Sequence, residues 1–245
     1  MKLFKNFKSL SSFFFKYRSA SVKMKIEMAS VIQCANETAA SKAAELLENG
    51  AVIAVPTDTI YGLACSANCP EAIKKLYNIK GRDAGKPVAI CVTNITDLRK
   101  WGEAEHLTDA LLCSLLPGPV TVVLEKTKYL NNPYLNPTTT KIGIRIPNHI
   151  FMNKVTNLFD MPVALTSANF SNEPSTLSVN EFQHLYGQLA AVFDGGILSQ
   201  SEDDRMGSTV VDLSRIGYFS IIRKGISFEK IINVLKAHAL NNAIK

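Results

Sequence analysis

What this chain lacks narrows its function before any motif is read. Beyond residue 28 no stretch approaches the roughly 20 consecutive apolar residues of a membrane span, so no transmembrane segment is expected. Only four histidines occur, His106, His149, His184 and His238, and none stands at HxxxH or HxxE spacing. Five cysteines (Cys34, Cys65, Cys69, Cys91, Cys113) are an odd number without a secretory signal, which points to reduced thiols. Cys65 and Cys69 have no second Cys or His pair to complete a zinc site, so no metal site is expected. Ser/His/Asp or Cys/His pairings of identifiable spacing, paired carboxylates, the P-loop and the dinucleotide glycine fingerprint are all missing. These absences leave a site that binds and orients charged substrates rather than one built on a protein nucleophile.

Acid is missing from one place in particular. Residues 1–26 hold seven of the 27 basic residues (Lys2, Lys5, Lys8, Lys16, Arg18, Lys23, Lys25), and Glu27 is the first acid. The other 20 basic residues face all 21 acids, so the formal charge of +6 becomes −1 once residues 1–26 are set aside. Basicity therefore belongs to the leader, and the remaining chain shows no nucleic-acid footprint. The leader adds Phe4, Phe7, Phe13, Phe14, Phe15 and five serines, the composition of a mitochondrial transit peptide; a disordered basic tail is the alternative. Met24 and Met28 follow, so a leader-less form starting at either, and hence location in both mitochondrion and cytoplasm, is expected. Residues 1–28 are read as leader and 29–245 as one domain with its core at about 36–240.

What is there alternates. Helical spacing over 36–49 ends at Gly50, and an apolar strand at 51–55 stops at Pro56. Pro70 opens a helix to about Ile79, a strand follows at 88–92, and helices are expected at about 94–101 and 106–116. Strands at 120–124, 142–146 and 163–166 alternate with helices near 148–159 and 178–186. Strands near 190–194, 208–213 and 219–223 precede a last helix of about 227–239. Without repeats or Gly/Ser linkers, this pattern predicts one α/β domain with a mixed sheet.

Six polar segments sit at strand ends or in loops. Pro56–Thr59 (PTDT) fits both an ordinary turn and a ligand loop. Lys80–Pro87 carries Lys80, Arg82 and Lys86 with two glycines, a composition suited to phosphate but equally to a solvated loop. In Lys141–Pro147 alternation places Lys141, Gly143 and Arg145 on one face and Ile142, Ile144 and Ile146 on the other. Arg145 suits a structural acid or a ligand carboxylate. Thr166–Asn169, running on to Ser175, can cap a helix or bind a nucleotide. Gly207–Thr209 and Arg223–Gly225 complete the set.

In order, PTDTIYGL, KGRxxxKP, PGPVT, IRIP, TSAN, GSTVVD and IRKG resemble the YrdC family of threonylcarbamoyl-adenylate synthases, in its single-domain form, from about Gly50 to Gly225. The resemblance implies a twisted open mixed sheet flanked by helices, with a concave electropositive active-site surface. It implies a nucleotidyltransferase that joins L-threonine, bicarbonate and ATP, with Mg2+, into threonylcarbamoyl-AMP and pyrophosphate. A separate transferase would then modify tRNA to threonylcarbamoyladenosine. Carried over by motif, Lys80 and Arg82 are catalytic; Thr59, Cys91, Arg145 and Ser208 contact threonine. Lys80, Arg82, Lys86, Lys141, Ser167, Asn169, Ser175 and Arg223 hold ATP. Asp58 stands where many relatives have Glu. The alternative is a non-catalytic double-stranded RNA-binding module acting in translation.

Overall fold

The computed structural model describes residues 29–81 and 86–243; Arg82 and the leader lie outside the described residues. Its first strand, β1 (Ser30–Gln33), precedes the expected start of the core and pairs in parallel with β8 (Ala191–Asp194). Helix α1 (Ala39–Glu48) buries Ala39, Ala40, Ala43, Ala44 and Leu47, a small-residue stripe at helical period that lets a neighbour approach closely.

Strand β2 (Ile53–Val55) is buried throughout and stops at Pro56. The chain does not continue into a helix there. It returns as an antiparallel strand, β3 (Gly62–Ser66), so PTDT is the connection of a strand pair. Thr57 shapes that connection: its Oγ1 accepts from the backbone N–H of Thr59 and Ile60 at 3.1 and 3.2 Å and donates to the Ile60 carbonyl at 2.7 Å.

Helix α2 (Pro70–Lys80) has proline in its first turn and Gly81 in a left-handed cap (φ 54°), which places Lys80 in its last turn. Strand β4 (Ala89–Cys91) is followed by α3 (Ile95–Trp101), capped by Asn94, and α4 (Asp109–Leu115), capped by Thr108. The chain continues through β5 (Val120–Glu125), β6 (Lys141–Arg145), α5 (Ile150–Phe159) and β7 (Val163–Ser167). Where a helix is expected near 178–186, Val179–Gln188 instead forms 3-10 turns interrupted at Phe182, whose ring is fully buried. After β8 come a 3-10 segment (Glu202–Met206), β9 (Thr209–Asp212), β10 (Tyr218–Arg223), α6 (Phe228–Ala237) and a two-residue β11 (Asn241–Asn242).

Among the described residues the strands form one mixed sheet in the order β1-β8-β2-β3-β7-β4-β6-β5-β9-β10-β11. Its two faces are covered unequally. Alternate residues such as Ala54, Leu63, Ile90, Val122, Ile142, Ile144 and Ala164 join α2, α3, α4 and α6 in the larger core. The opposite residues, including Ile53, Val55, Ala64, Cys91, Val163 and Phe193, are covered only at one end, by α1 and α5. At the other end the same face stays open, and there the polar segments converge.

Candidate functional site

Strand β6 shows how the open face is built. Ile142, Ile144 and Ile146 are buried in the larger core, while Lys141, Gly143 and Arg145 line a cavity of about 390 Å³, the two-faced arrangement that alternation predicts. Neighbouring strands contribute by the same parity: Thr121 and Val123 from β5, Ala89 from β4, Leu165 and Ser167 from β7, and Val210 from β9. Gly143 keeps the floor low, since a Cβ there would stand 2.8 Å from Thr121 Cγ2. The far wall depends on a bulge. Ile221 pairs with Val211 and Arg223 with Val210, so Ile222 is an extra residue, and both Ile222 and Arg223 line the cavity.

The cationic groups are each held in place. Arg145 donates from Nη2 to Asp58 Oδ1 at 2.7 Å and to Thr59 Oγ1 at 3.2 Å, and the Asp58 and Arg145 side chains are 8% and 6% exposed. Asp58 Oδ2 and Arg145 Nε are buried without a hydrogen-bond partner among the described residues. Lys141 Nζ reaches Asp212 Oδ2 at 2.8 Å. Burial raises the Asp212 carboxyl, but hydrogen bonds from Lys141 and Ser214 outweigh it and hold the group below its ordinary value. Arg223 Nη2 donates to the Ser208 carbonyl at 2.7 Å and to Ser208 Oγ at 3.2 Å, while Ser208 Oγ lies 2.8 Å from Thr121 Oγ1. Lys80 is buried and ties loop to helix, donating to the Ser167 carbonyl at 2.7 Å, to the Asn169 carbonyl and to Asn169 Oδ1 at 3.1 Å.

Of the residues expected at the site, Lys141, Arg145, Ser167, Ser175, Ser208 and Arg223 line the cavity together. Thr59 sits behind Arg145, and Lys80 and Asn169 brace the wall that carries Ser167. The Asn169 amide donates within its own loop, to the Phe170 and Glu173 carbonyls at 2.8 and 2.6 Å. Lys86 reaches Asn172 Oδ1 at 3.0 Å, outside the cavity lining. Cys91 departs from expectation. It follows Ala89 on the same face, but α1 and α5 cover that end, so its thiol is wholly buried and does not line the cavity. Burial, partly offset by the Arg145 charge, pushes this thiol up to about 12. Thr57, from the PTDT loop already marked as a possible ligand loop, also lines the cavity, as do Thr121 and Thr139, which were not singled out from sequence. The alternation Val120-Thr121-Val122 within PGPVT was the available signal for Thr121.

No carboxylate appears among the described residues lining the cavity, and no cluster of three or more His, Cys, Asp or Glu among the described residues could hold a metal. The walls therefore offer cations and hydroxyls, which suit an anionic ligand, and no oxygen cage for a resident divalent ion.

The family model described as "Telomere recombination", for Sua5, YciO and YrdC proteins, matches residues 45–225. The chain belongs to the Sua5/YciO/YrdC family. Every lining residue, from Thr57 to Arg223, falls inside that Sua5/YciO/YrdC match, whereas β1, α6 and β11 lie beyond it. The chain is 48% identical over 192 residues to the human threonylcarbamoyl-AMP synthase, covering 78% of this chain and 68% of the human one. The cattle protein of the same name is 48% identical over 196 residues, covering 79% and 70%. Pyrococcus abyssi Sua5, solved in complex with L-threonine, superposes with a TM-score of 0.73 at 27% identity, covering 88% of this chain. This chain spans 62% of that archaeal protein's length.

Proposed function

We propose that this chain is an L-threonylcarbamoyladenylate synthase, a nucleotidyltransferase that makes threonylcarbamoyl-AMP and pyrophosphate from L-threonine, bicarbonate and ATP. The observation that carries this reading is the open end of the sheet, where Lys141, Arg145 and Arg223 face one cavity with serine and threonine hydroxyls and, among the described residues, no lining carboxylate. The names of the mammalian relatives and the threonine bound in the archaeal structure support the same reading.

In this reading the threonine amine attacks bicarbonate-derived CO2 to give a carbamate. A carbamate oxygen then attacks the α-phosphate of ATP, and pyrophosphate leaves. Both reactants are anions, so the chain's task is to offset their repulsion and align them. Arg145, backed by Thr59, receives the threonine carboxylate, and Ser208 completes the threonine-binding set. Arg223, Lys141, Ser167, Ser175 and Asn169 hold the nucleotide, and the family resemblance assigns Lys80, Arg82 and Lys86 to neutralising its triphosphate. Cys91 shapes the floor behind Arg145 without touching substrate. Magnesium would enter with ATP and help offset the charge of its phosphates.

The product serves tRNA modification, taken up by a transferase that acts on adenosine. The basic, acid-free leader directs one form to mitochondria, and initiation at Met24 or Met28 leaves another in the cytoplasm. Sequencing the N-termini of the native protein tests this, and finding only chains that begin at Met28 overturns the mitochondrial half. The RNA-binding alternative is disfavoured by the net charge of −1 beyond residue 26.

Comparing threonine, serine and carbamoyl phosphate as partners for ATP tests the substrate assignment. Threonine with bicarbonate is expected to give the adenylate. Preference for carbamoyl phosphate would place the chain in another acyl-transfer reaction on the same fold.

A further inference from the structure

Two loops frame the cavity mouth, and neither belongs to the sheet. One runs from β7 through Ser175, which lines the cavity, to the 3-10 turns at Val179. The other carries the Glu202–Met206 segment and delivers Ser208 into the site. A backbone bond from the Leu198 N–H to the Leu177 carbonyl at 3.0 Å joins them at one point, and the Arg205 side chain ties them at another, beside the cavity. Arg205 Nη1 donates to the Ser175 carbonyl at 2.8 Å and to Glu181 Oε2 at 2.5 Å. Its Nε and Nη2 take Glu202 Oε2 and Oε1 at 2.6 and 3.1 Å, a two-bond fork. The second oxygen of Glu181 accepts from the Leu177 N–H at 3.2 Å and from Ser178 Oγ at 3.1 Å, which extends the hold along the Ser175 loop.

We propose that Arg205 is a positioning residue that sets the separation of the two cavity walls, Ser175 on one side and Ser208 with Arg223 on the other. The Ser175 wall faces the nucleotide in the reading above, and the predicted direction of the kinetic effect rests on that reading. The Glu202 contact contributes little, because that carboxylate is 81% exposed and solvent screens it. The contact that matters is the backbone one. A guanidinium presents its donors in a fixed planar fork and meets a carbonyl and two carboxylates at once. A lysine ammonium keeps the charge but not the fork.

The test compares Arg205→Lys and Arg205→Ala with the parent chain. Both variants are expected to raise the KM for ATP about tenfold, the scale of one lost charge-assisted hydrogen bond. The KM for threonine is expected to stay within about twofold, and both variants to remain folded by circular dichroism. Amide exchange at Leu177 is expected to quicken at least about tenfold in both variants. An ATP KM within twofold of the parent, or equal rises for ATP and threonine, would overturn the positioning role. If the parent makes no ATP-dependent product, the proposed function fails on its own, and the exchange measurement still decides the clasp. Unchanged exchange at Leu177 in both variants would remove it.

Discussion

The buried pair Asp58–Arg145 makes one residue answer to two demands. Arg145 faces the cavity, yet Asp58 holds one of its nitrogens at 2.7 Å, and both side chains are more than nine-tenths buried. Removing one partner leaves an uncompensated charge in the interior, which typically costs about 3–5 kcal/mol. Arg145→Ala is therefore expected to lower stability by about 3 kcal/mol in urea denaturation, as well as to abolish product. A variant that loses activity at unchanged stability would show that the pair does not hold the loop. Lys80 behaves alike: its buried ties to the Ser167 and Asn169 carbonyls mean that Lys80→Ala disturbs the loop as well as the chemistry. Cysteine reactivity follows burial. Cys113 is exposed and is expected to react first with a thiol reagent, while Cys65 and Cys91 react only on unfolding. Burial pushes Cys34 and Cys91 up to about 12 from an ordinary 9.0. In the folded state these thiols keep their protons where the unfolded chain loses them, so stability present below pH 9 is lost as pH rises toward 12. Cys91→Ala is expected to flatten the fall in stability just above pH 9, and an unchanged slope would contradict this. The choice of Asp58 as Arg145's partner was not legible in sequence, because the pairing spans 87 positions. Whether Cys91 meets substrate depended on α1 and α5 covering one end of the face, which no local pattern encodes.

Individual elements were legible where their pattern was one-sided. Strand β6 alternates Lys141, Gly143 and Arg145 with isoleucines, so its two faces could be assigned residue by residue. Strand β3 is Gly-Leu-Ala-Cys-Ser, small and buried on both sides; it carries no alternation, and its antiparallel return was invisible. Strand β1 was missed for the opposite reason, being largely exposed at the sheet's end. The bulge in β10 that turns both Ile222 and Arg223 toward the cavity has no sequence signature here. Close approach fixes the segment after it. A Cβ on Gly225 would lie 2.4 Å from the Ser208 backbone carbon and 2.5 Å from the Gly207 carbonyl oxygen, and neither can swing aside. Gly225→Ala is expected to cost at least about 2 kcal/mol and to weaken ATP binding by displacing Ser208. Thermal unfolding and ATP titration check this together, and a stable variant with normal affinity would refute the close approach.

For the whole molecule, one sheet serves as both core and active surface because its second face is only half covered. α1 and α5 close one end; at the other, the same alternation that would bury apolar residues instead presents Lys141, Arg145, Ser167 and Arg223 to one cavity. The net charge of −1 beyond residue 26 shows why bulk composition gave no hint of this surface: Lys141, Arg145 and Arg223 line the cavity, while Asp212 and Asp58, which pair with the first two, stay out of its lining. The measurement that tests the account most directly is pyrophosphate release by protein beginning at Met28, supplied with ATP, Mg2+, L-threonine and bicarbonate, the nucleotide product being identified by mass. Release that requires threonine and bicarbonate together, with threonylcarbamoyl-AMP as the product, is the predicted result. Folded protein that binds ATP but releases no pyrophosphate under these conditions would contradict it.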